Sequence, residues 1–200
     1  MPPPATFQFL IAMLAYAIHE RMARRLEYVE EEVRVLFVIE LKSRAVHIAG
    51  IRVAPDGAWM KQITRNVLDP VDGFLRHATH LIHDRDPLFT EAWTLMLAST
   101  GLEGVSIAAS SPNCNQYAER LVRSVRAECL ERFVVSGERR LRHLLGQFVN
   151  HYHAERYHQG LDGNLIRPNP VPGNDNRSLG AIASRGSPGG LLNFYFRDAA

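Results

Sequence analysis

Lysine is almost missing from this chain: Lys42 and Lys61 are the only two among 23 basic residues, and every other one is arginine. Cysteine is limited to Cys114 and Cys129, and no aspartate occurs before Asp56. Two unpatterned cysteines cannot build a disulfide framework. With no secretory signal they read as reduced thiols of a cytosolic protein. The apolar run Phe7 to Ile18 contains Gln8 and falls short of the roughly 20 residues that span a bilayer. It also lacks a basic leader and a clear cleavage site, so no membrane partner is expected. The arginine bias has two readings. Guanidinium forks bind phosphate in bidentate fashion, which favours a nucleic-acid partner; a GC-rich genome alone would give the same bias. A net charge of +2 excludes neither.

What is present suffices for a core. Hydrophobic residues make up 46% of the 200 positions, as in soluble globular proteins, and the length fits one domain with extensions. After Pro2-Pro3-Pro4, apolar residues recur at spacings of three and four through Leu10, Leu14, Ile18, Met22, Leu26, Val29 and Val33. That stripe predicts a long amphipathic helix over residues 1–33, packed on a partner helix or on the core of the same chain. Near Val35 the pattern changes. Val35 to Ile39 and Ala45 to Val53 read as two strands joined by a turn at Leu41 to Arg44. Asp56 can cap a helix through Trp59, Ile63 and Val67. A strand over Thr79 to His83, a helix over Pro87 to Ser99 and an extended run over Gly104 to Ala109 follow. Helices are then expected over Asn115 to Phe133 and Glu138 to Tyr157. Residues 34–162 thus form an α/β unit with a mixed sheet. Residues 163–200, rich in Gly and Pro, read as a poorly ordered tail, apart from the apolar patch Leu191 to Phe196.

Two acids stand where chemistry could occur. Asp84 ends a predicted strand, where α/β folds tend to place functional groups, and Glu119 opens a predicted helix. Two carboxylates from different elements can hold Mg²⁺, a hard cation that favours oxygen ligands. Such residues are, however, more often caps and surface groups. The surrounding words are more specific. His83-Asp84-Arg85-Asp86-Pro87-Leu88-Phe89 is similar to the integrase-core pattern of an Asp five residues before a Phe. Ser111-Pro112-Asn113 through Tyr117-Ala118-Glu119-Arg120 resembles the loop and Glu-bearing helix of that core, 35 positions after Asp84. Phe148 to Leu161, chiefly Tyr152, Arg156, His158 and Leu161, resembles its closing helix, and Phe37 to Gly50 its second and third strands. Even Gly189 to Ala200 is similar to the ends of some bacterial members.

About two-thirds of the chain therefore resembles the catalytic core of DDE-type transposases and retroviral-type integrases. The resemblance implies a ribonuclease H-like fold and a protein of bacterial DNA transposition, cytoplasmic and associated with the nucleoid. It implies cleavage and strand transfer with two Mg²⁺ (or Mn²⁺) ions, and as partners the element ends, target DNA, and a second copy or an intact transposase. Asp84 matches the second acid of the triad and Glu119 the third; Asp86 has the wrong offset from Phe89. The first acid has no counterpart. The segment before the hairpin reads as helix, so an internal deletion of the first strand is expected, leaving two unpaired sheet edges. Glu40 is the best-placed substitute for the lost acid, although its bland reading is a turn residue facing Arg44; Glu27 or Glu30 would serve only if their segment became a strand. On this reading the enzyme is impaired. The alternative is a non-catalytic protein that binds DNA or dimerises with transposase. Arg120, Arg123 and Arg126, at helical spacing after Glu119, could grip DNA phosphates, or else form a solvated face on which Glu119 pairs with Arg123. Neither His77, His80 and His83 nor His151, His153 and His158 makes a standard zinc pattern.

Overall fold

Along β2, Val33–Glu40, alternate residues enter two different cores. Val33, Val35, Phe37 and Ile39 face one way, and Leu36 and Val38 the other. A strand buried on both faces needs a helix layer on each side. The computed structural model, which describes residues 9–18, 33–107, 116–133, 135, 137–168, 182–187 and 192–197, shows those layers. Helices α1 (Gly57–Val67) and α2 (Glu91–Ala98) bury Trp59, Met60, Ile63, Trp93 and Leu97 on one face. Helices α3 (Gln116–Glu128) and α4 (Glu138–Ala154) bury Ala118, Leu121, Leu141, Leu144, Leu145 and Phe148 on the other.

The sheet between them has the order β3-β2-β1-β4-β5, with β1 at Phe9–Ile18, β3 at Val46–Val53, β4 at His80–His83 and β5 at Glu103–Ser106. β1 runs antiparallel to β2 and parallel to β4, and β5 continues the parallel half. The mixed α/β expectation holds. The N-terminal expectation does not. Phe9–Ile18 is a strand and not part of a helix, and it fills the central place thought to be deleted. The physical reason is context. A near-continuous apolar run suits a strand covered on both faces, and period alone does not separate it from a buried helix. The bonding groups of β2 and β4 then decide, because β1 leaves neither strand with a bare edge. The rest of the expected helix, residues 19–32, lies outside the described residues.

Elsewhere the local chemistry reads as expected. The Asp56 side chain caps α1 by accepting from the Trp59 backbone N–H at 2.8 Å. Helix α2 starts later than Pro87 because the Thr90 hydroxyl caps it, accepting from Trp93 N–H at 3.2 Å. Trp93 Nε1 in turn donates to Thr64 Oγ1 at 2.8 Å, tying α2 to α1. The tail departs from its expectation: β6 (Ile182–Ser187) and β7 (Leu192–Arg197) form an antiparallel pair. Cys129 is buried, and Cys114 lies outside the described residues.

One close approach can be tested directly. The register of β2 with β3 shifts between Leu36 and Phe37, opposite Gly50 and Ile48. A Cβ at Gly50 would stand 2.6 Å from Trp59 Cζ2 and 2.7 Å from Ile63 Cδ1. The Gly50→Ala change should therefore push α1 off the sheet and cost about 1–3 kcal/mol in urea unfolding. An unchanged unfolding midpoint would mean that α1 does not rest on this glycine.

Candidate functional site

Alternation along β4 sends Leu81 and His83 toward α1 and α2, and Ile82 toward the α3 and α4 side. Asp84 follows directly after the strand. His83 is held by its ring. Its Nδ1 donates to the Asp84 carbonyl at 2.7 Å, and the ring lies 4.8 Å from Phe89 and 5.0 Å from Trp93 between centroids. Asp84 Oδ1 accepts the Asp86 backbone N–H at 3.1 Å. Burial pushes the Asp84 carboxyl above the usual range. The Asp86 N–H opposes that rise, the Asp86 carboxylate adds to it and His83 opposes it. A cation near Asp84 would relieve the cost of keeping it ionised.

Asp86 is spent on structure. One oxygen accepts the Leu88 N–H at 2.9 Å, and the other takes Arg34 of β2 in an ion pair at 3.0 Å. That leaves Asp84, directly after β4, as the nearby acid that forms no ion pair among the described residues. Glu119 lies in the first turn of α3 and is exposed. Its neighbours Tyr117, Arg120 and Leu121 line one hollow with Ile39 of β2. Ile39 pairs with Ile11, and Ile11 with Ile82, so the start of α3 lies near the level at which β4 ends.

β1 supplies no third acid. Phe9–Ile18 contains neither Asp nor Glu, and extending its parallel register with β4 by two residues brings position 13, a methionine, beside Asp84. Among the described residues no group of three His, Cys, Asp or Glu could hold a metal ion. Asp84 and Glu119 would suit one Mg²⁺ that keeps several waters, since this ion is often held by one or two carboxylates. They do not suit a two-metal pair. Glu40 does not replace the missing acid. It pairs with Leu10 near the start of β1, its carboxylate accepts the Ser43 hydroxyl, and its backbone closes the hairpin through Arg44 N–H at 2.8 Å. Glu27 and Glu30 lie outside the described residues.

Arg120, Arg123 and Arg126 are all exposed on α3. No ion pair joins Glu119 to Arg123 among the described residues, so the solvated-pair reading finds no support there. The histidines have other work. His80 faces Glu103 at 3.4 Å, and His77 accepts from Arg76 at 3.1 Å. His151 meets Glu155 at 2.8 Å, His153 accepts the Val46 N–H at 2.8 Å, and His158 donates to the Tyr152 carbonyl at 2.8 Å. Sequence reasoning passed over Arg44 as a site residue. Its guanidinium stacks 3.8 Å from the Tyr117 ring centroid, beside Arg120 and Arg156. The three arginines come from distant parts of the chain, so no local pattern marks them.

Residues 100–164 match the family model described as an integrase core domain. A chain of the simian T-cell lymphotropic virus intasome in complex with PP2A regulatory subunit B56 gamma superposes with a TM-score of 0.57 at 10% identity; the match covers 88% of this chain and 61% of that one. The HTLV-2 integrase catalytic core domain in complex with magnesium, in its dimeric form, gives 0.54 at 9% identity, covering 81% and 96%. The catalytic core domain of BIV integrase gives 0.53 at 13%, covering 78% and 90%. No curated protein matches the sequence. The fold is that of an integrase catalytic core, of the ribonuclease H-like kind, and the chain spans 61% of the length of the intasome chain.

Proposed function

We propose that this chain is an integrase-core protein of DNA transposition whose phosphodiester chemistry is weakened by an acid-free first strand. The observation that carries the reading is the integrase-core fold built around a central β1 that contains no carboxylate. Asp84 presents a half-buried carboxyl, oriented by the Asp86 N–H and anchored through the His83 ring. Glu119 brings an exposed carboxylate in the first turn of a helix. When bound, Mg²⁺ (or Mn²⁺) would supply polarisation of a phosphodiester and of the attacking water or 3′-hydroxyl. Arg120, Arg123 and Arg126 then hold the DNA backbone along α3, fixing register without reading sequence. The partners on this reading are element ends and target DNA, with self-association or pairing with an intact transposase, in the bacterial cytoplasm at the nucleoid.

The test is Mg²⁺-dependent nicking of element-end DNA by the parent, Asp84→Ala and Glu119→Ala. Weak nicking that disappears in both variants is expected. The missing first acid also favours a second reading, a non-catalytic DNA-binding protein. Salt-dependent DNA binding with no nicking, the same in all three proteins, would decide for it.

A further inference from the structure

A second feature of the α3 face lies at the tip of the β2–β3 hairpin. Between the tip of β2 and β3, the first turns of α3 and the end of α4 is a hollow of about 470 Å³. Arg44, Arg120 and Arg156 line it, together with Tyr117, Tyr152 and Tyr157. Among the described residues no acid lines it. Arg156 is held by both oxygens of Glu128, at 2.8 and 2.9 Å, but Arg44 and Arg120 have no acidic partner among the described residues. All three guanidinium groups lie close enough to Tyr152 to oppose the rise that burial gives its hydroxyl pKa. Arg44 also takes a left-handed backbone, φ 63°, a conformation that favours glycine. An arginine kept there, with its guanidinium laid on Tyr117, fits a role for the charge. At the rim Tyr157 is 66% exposed, an unusual setting for so large an aromatic ring.

We propose that this hollow is a binding site for one unpaired nucleotide of a DNA strand, its phosphate held by Arg44, Arg120 and Arg156 and its base stacked on Tyr157. Three arginines lining one hollow can form a phosphate cradle, because each presents a planar fork of donors that matches phosphate oxygens. An exposed tyrosine beside them is the stacking platform that single-stranded nucleic acid uses without regard to sequence. Size argues against a duplex: the volume lies within the roughly 300–1,000 Å³ typical of pockets that enclose one small molecule. The inference rests on the DNA-directed reading above. It goes beyond it by assigning a strand-end site that neither of the two acids lines.

The experiment measures fluorescence anisotropy of a 5′-labelled single-stranded oligodeoxynucleotide and of a blunt duplex of the same sequence. Mg²⁺ is omitted, so the result does not depend on catalysis. The proteins are the full chain, Arg120→Glu, Tyr157→Ala, Arg123→Ala, and Arg139→Glu as a charge control. Arg139 is exposed at the other end of α4, about 20 Å along the helix from Tyr152. Tyr157→Ala should weaken single-strand binding roughly five- to hundredfold, the range for loss of one base stack, and leave the duplex nearly unaffected. Arg120→Glu should weaken single-strand binding at least as much, and Arg139→Glu should change little. Both cleft residues are exposed, so neither change threatens folding; circular dichroism checks this. Single-strand binding that ignores Tyr157→Ala overturns the proposal. If that binding still falls with Arg123→Ala, DNA runs along α3 alone and the functional reading survives without this site. Failure of every protein, the parent included, to bind either DNA overturns both.

Discussion

The Met13→Asp variant is expected to nick element-end DNA in Mg²⁺ on the order of a hundredfold faster than the parent, the size of effect that one charge-stabilising group has in a preorganised site. The argument is one of register. Position 13 pairs with Phe37 of β2, and Phe37 belongs to the core beneath α3 and α4. Directly opposed residues in a sheet share a face, so position 13 lies on the α3-bearing face. Extended two residues past the last pair, Ile11 with Ile82, its parallel register with β4 would bring it beside Asp84. An acid at position 13 would therefore add an oxygen ligand on the face covered by α3, the helix that carries Glu119. Mg²⁺ affinity measured by calorimetry should rise together with nicking, and added Mg²⁺ should raise the variant's unfolding temperature through linkage. The control is Ala12→Asp. A one-residue shift moves the carboxylate to the opposite face, so this variant should gain neither binding nor activity. Equal gains in both variants, or none in either, would remove β1 from the site.

A second large effect is expected from pH. His153 sits near the end of α4, buried, with Nε2 accepting the Val46 N–H of β3 at 2.8 Å. Burial, then Arg167 and then His158, lower its pKa to about 4. A protonated ring cannot accept that bond, so the folded state favours the neutral form. The unfolded histidine titrates near its ordinary 6.5. Above that value both states are neutral and the stabilisation is complete. As the pH falls from about 6.5 toward 4 the unfolded chain binds the proton first, and stability is lost. The loss from this one group should reach roughly 2–3 kcal/mol once solvent access to the ring is allowed for. His47, His83 and His158 also have lowered pKa values from burial and add in the same direction. The measurement is urea unfolding at several pH values, for the parent and for His153→Gln, in which an amide oxygen can accept the same bond without titrating. A smaller pH slope in the variant is expected. Equal slopes would show that His153 takes no part in the acid response.

Wherever local chemistry decided, the sequence was readable. The Asp56 cap, the hairpin turn before Ala45, the strand into Asp84 and the helices carrying Glu119 and Phe148 all follow from signals within a few residues. Phe9–Ile18 was misread because its apolar residues satisfy a helical stripe and a buried strand equally well. What settles it is the pair of strands on either side, and β4 lies some seventy residues further on. The cleft of Arg44, Arg120 and Arg156 escaped notice for the same reason: its members meet only when the hairpin tip, α3 and the end of α4 are packed together. Asp84 and Glu119 stood out in the sequence because each sits within a distinctive run of neighbours.

The central place of β1 has a consequence for synthesis. The ribosome makes this strand before either neighbour, and its parallel partner β4 ends 65 residues after Ile18. At roughly 5–20 residues per second, the interval is about 3–13 s. During that time a ten-residue apolar strand has at most β2 to pair with. The nascent chain must therefore carry a sticky, half-paired ribbon until β4 emerges. Slow translation or scarce chaperones should reduce the soluble yield of this protein more than loss of any of its surface charges would.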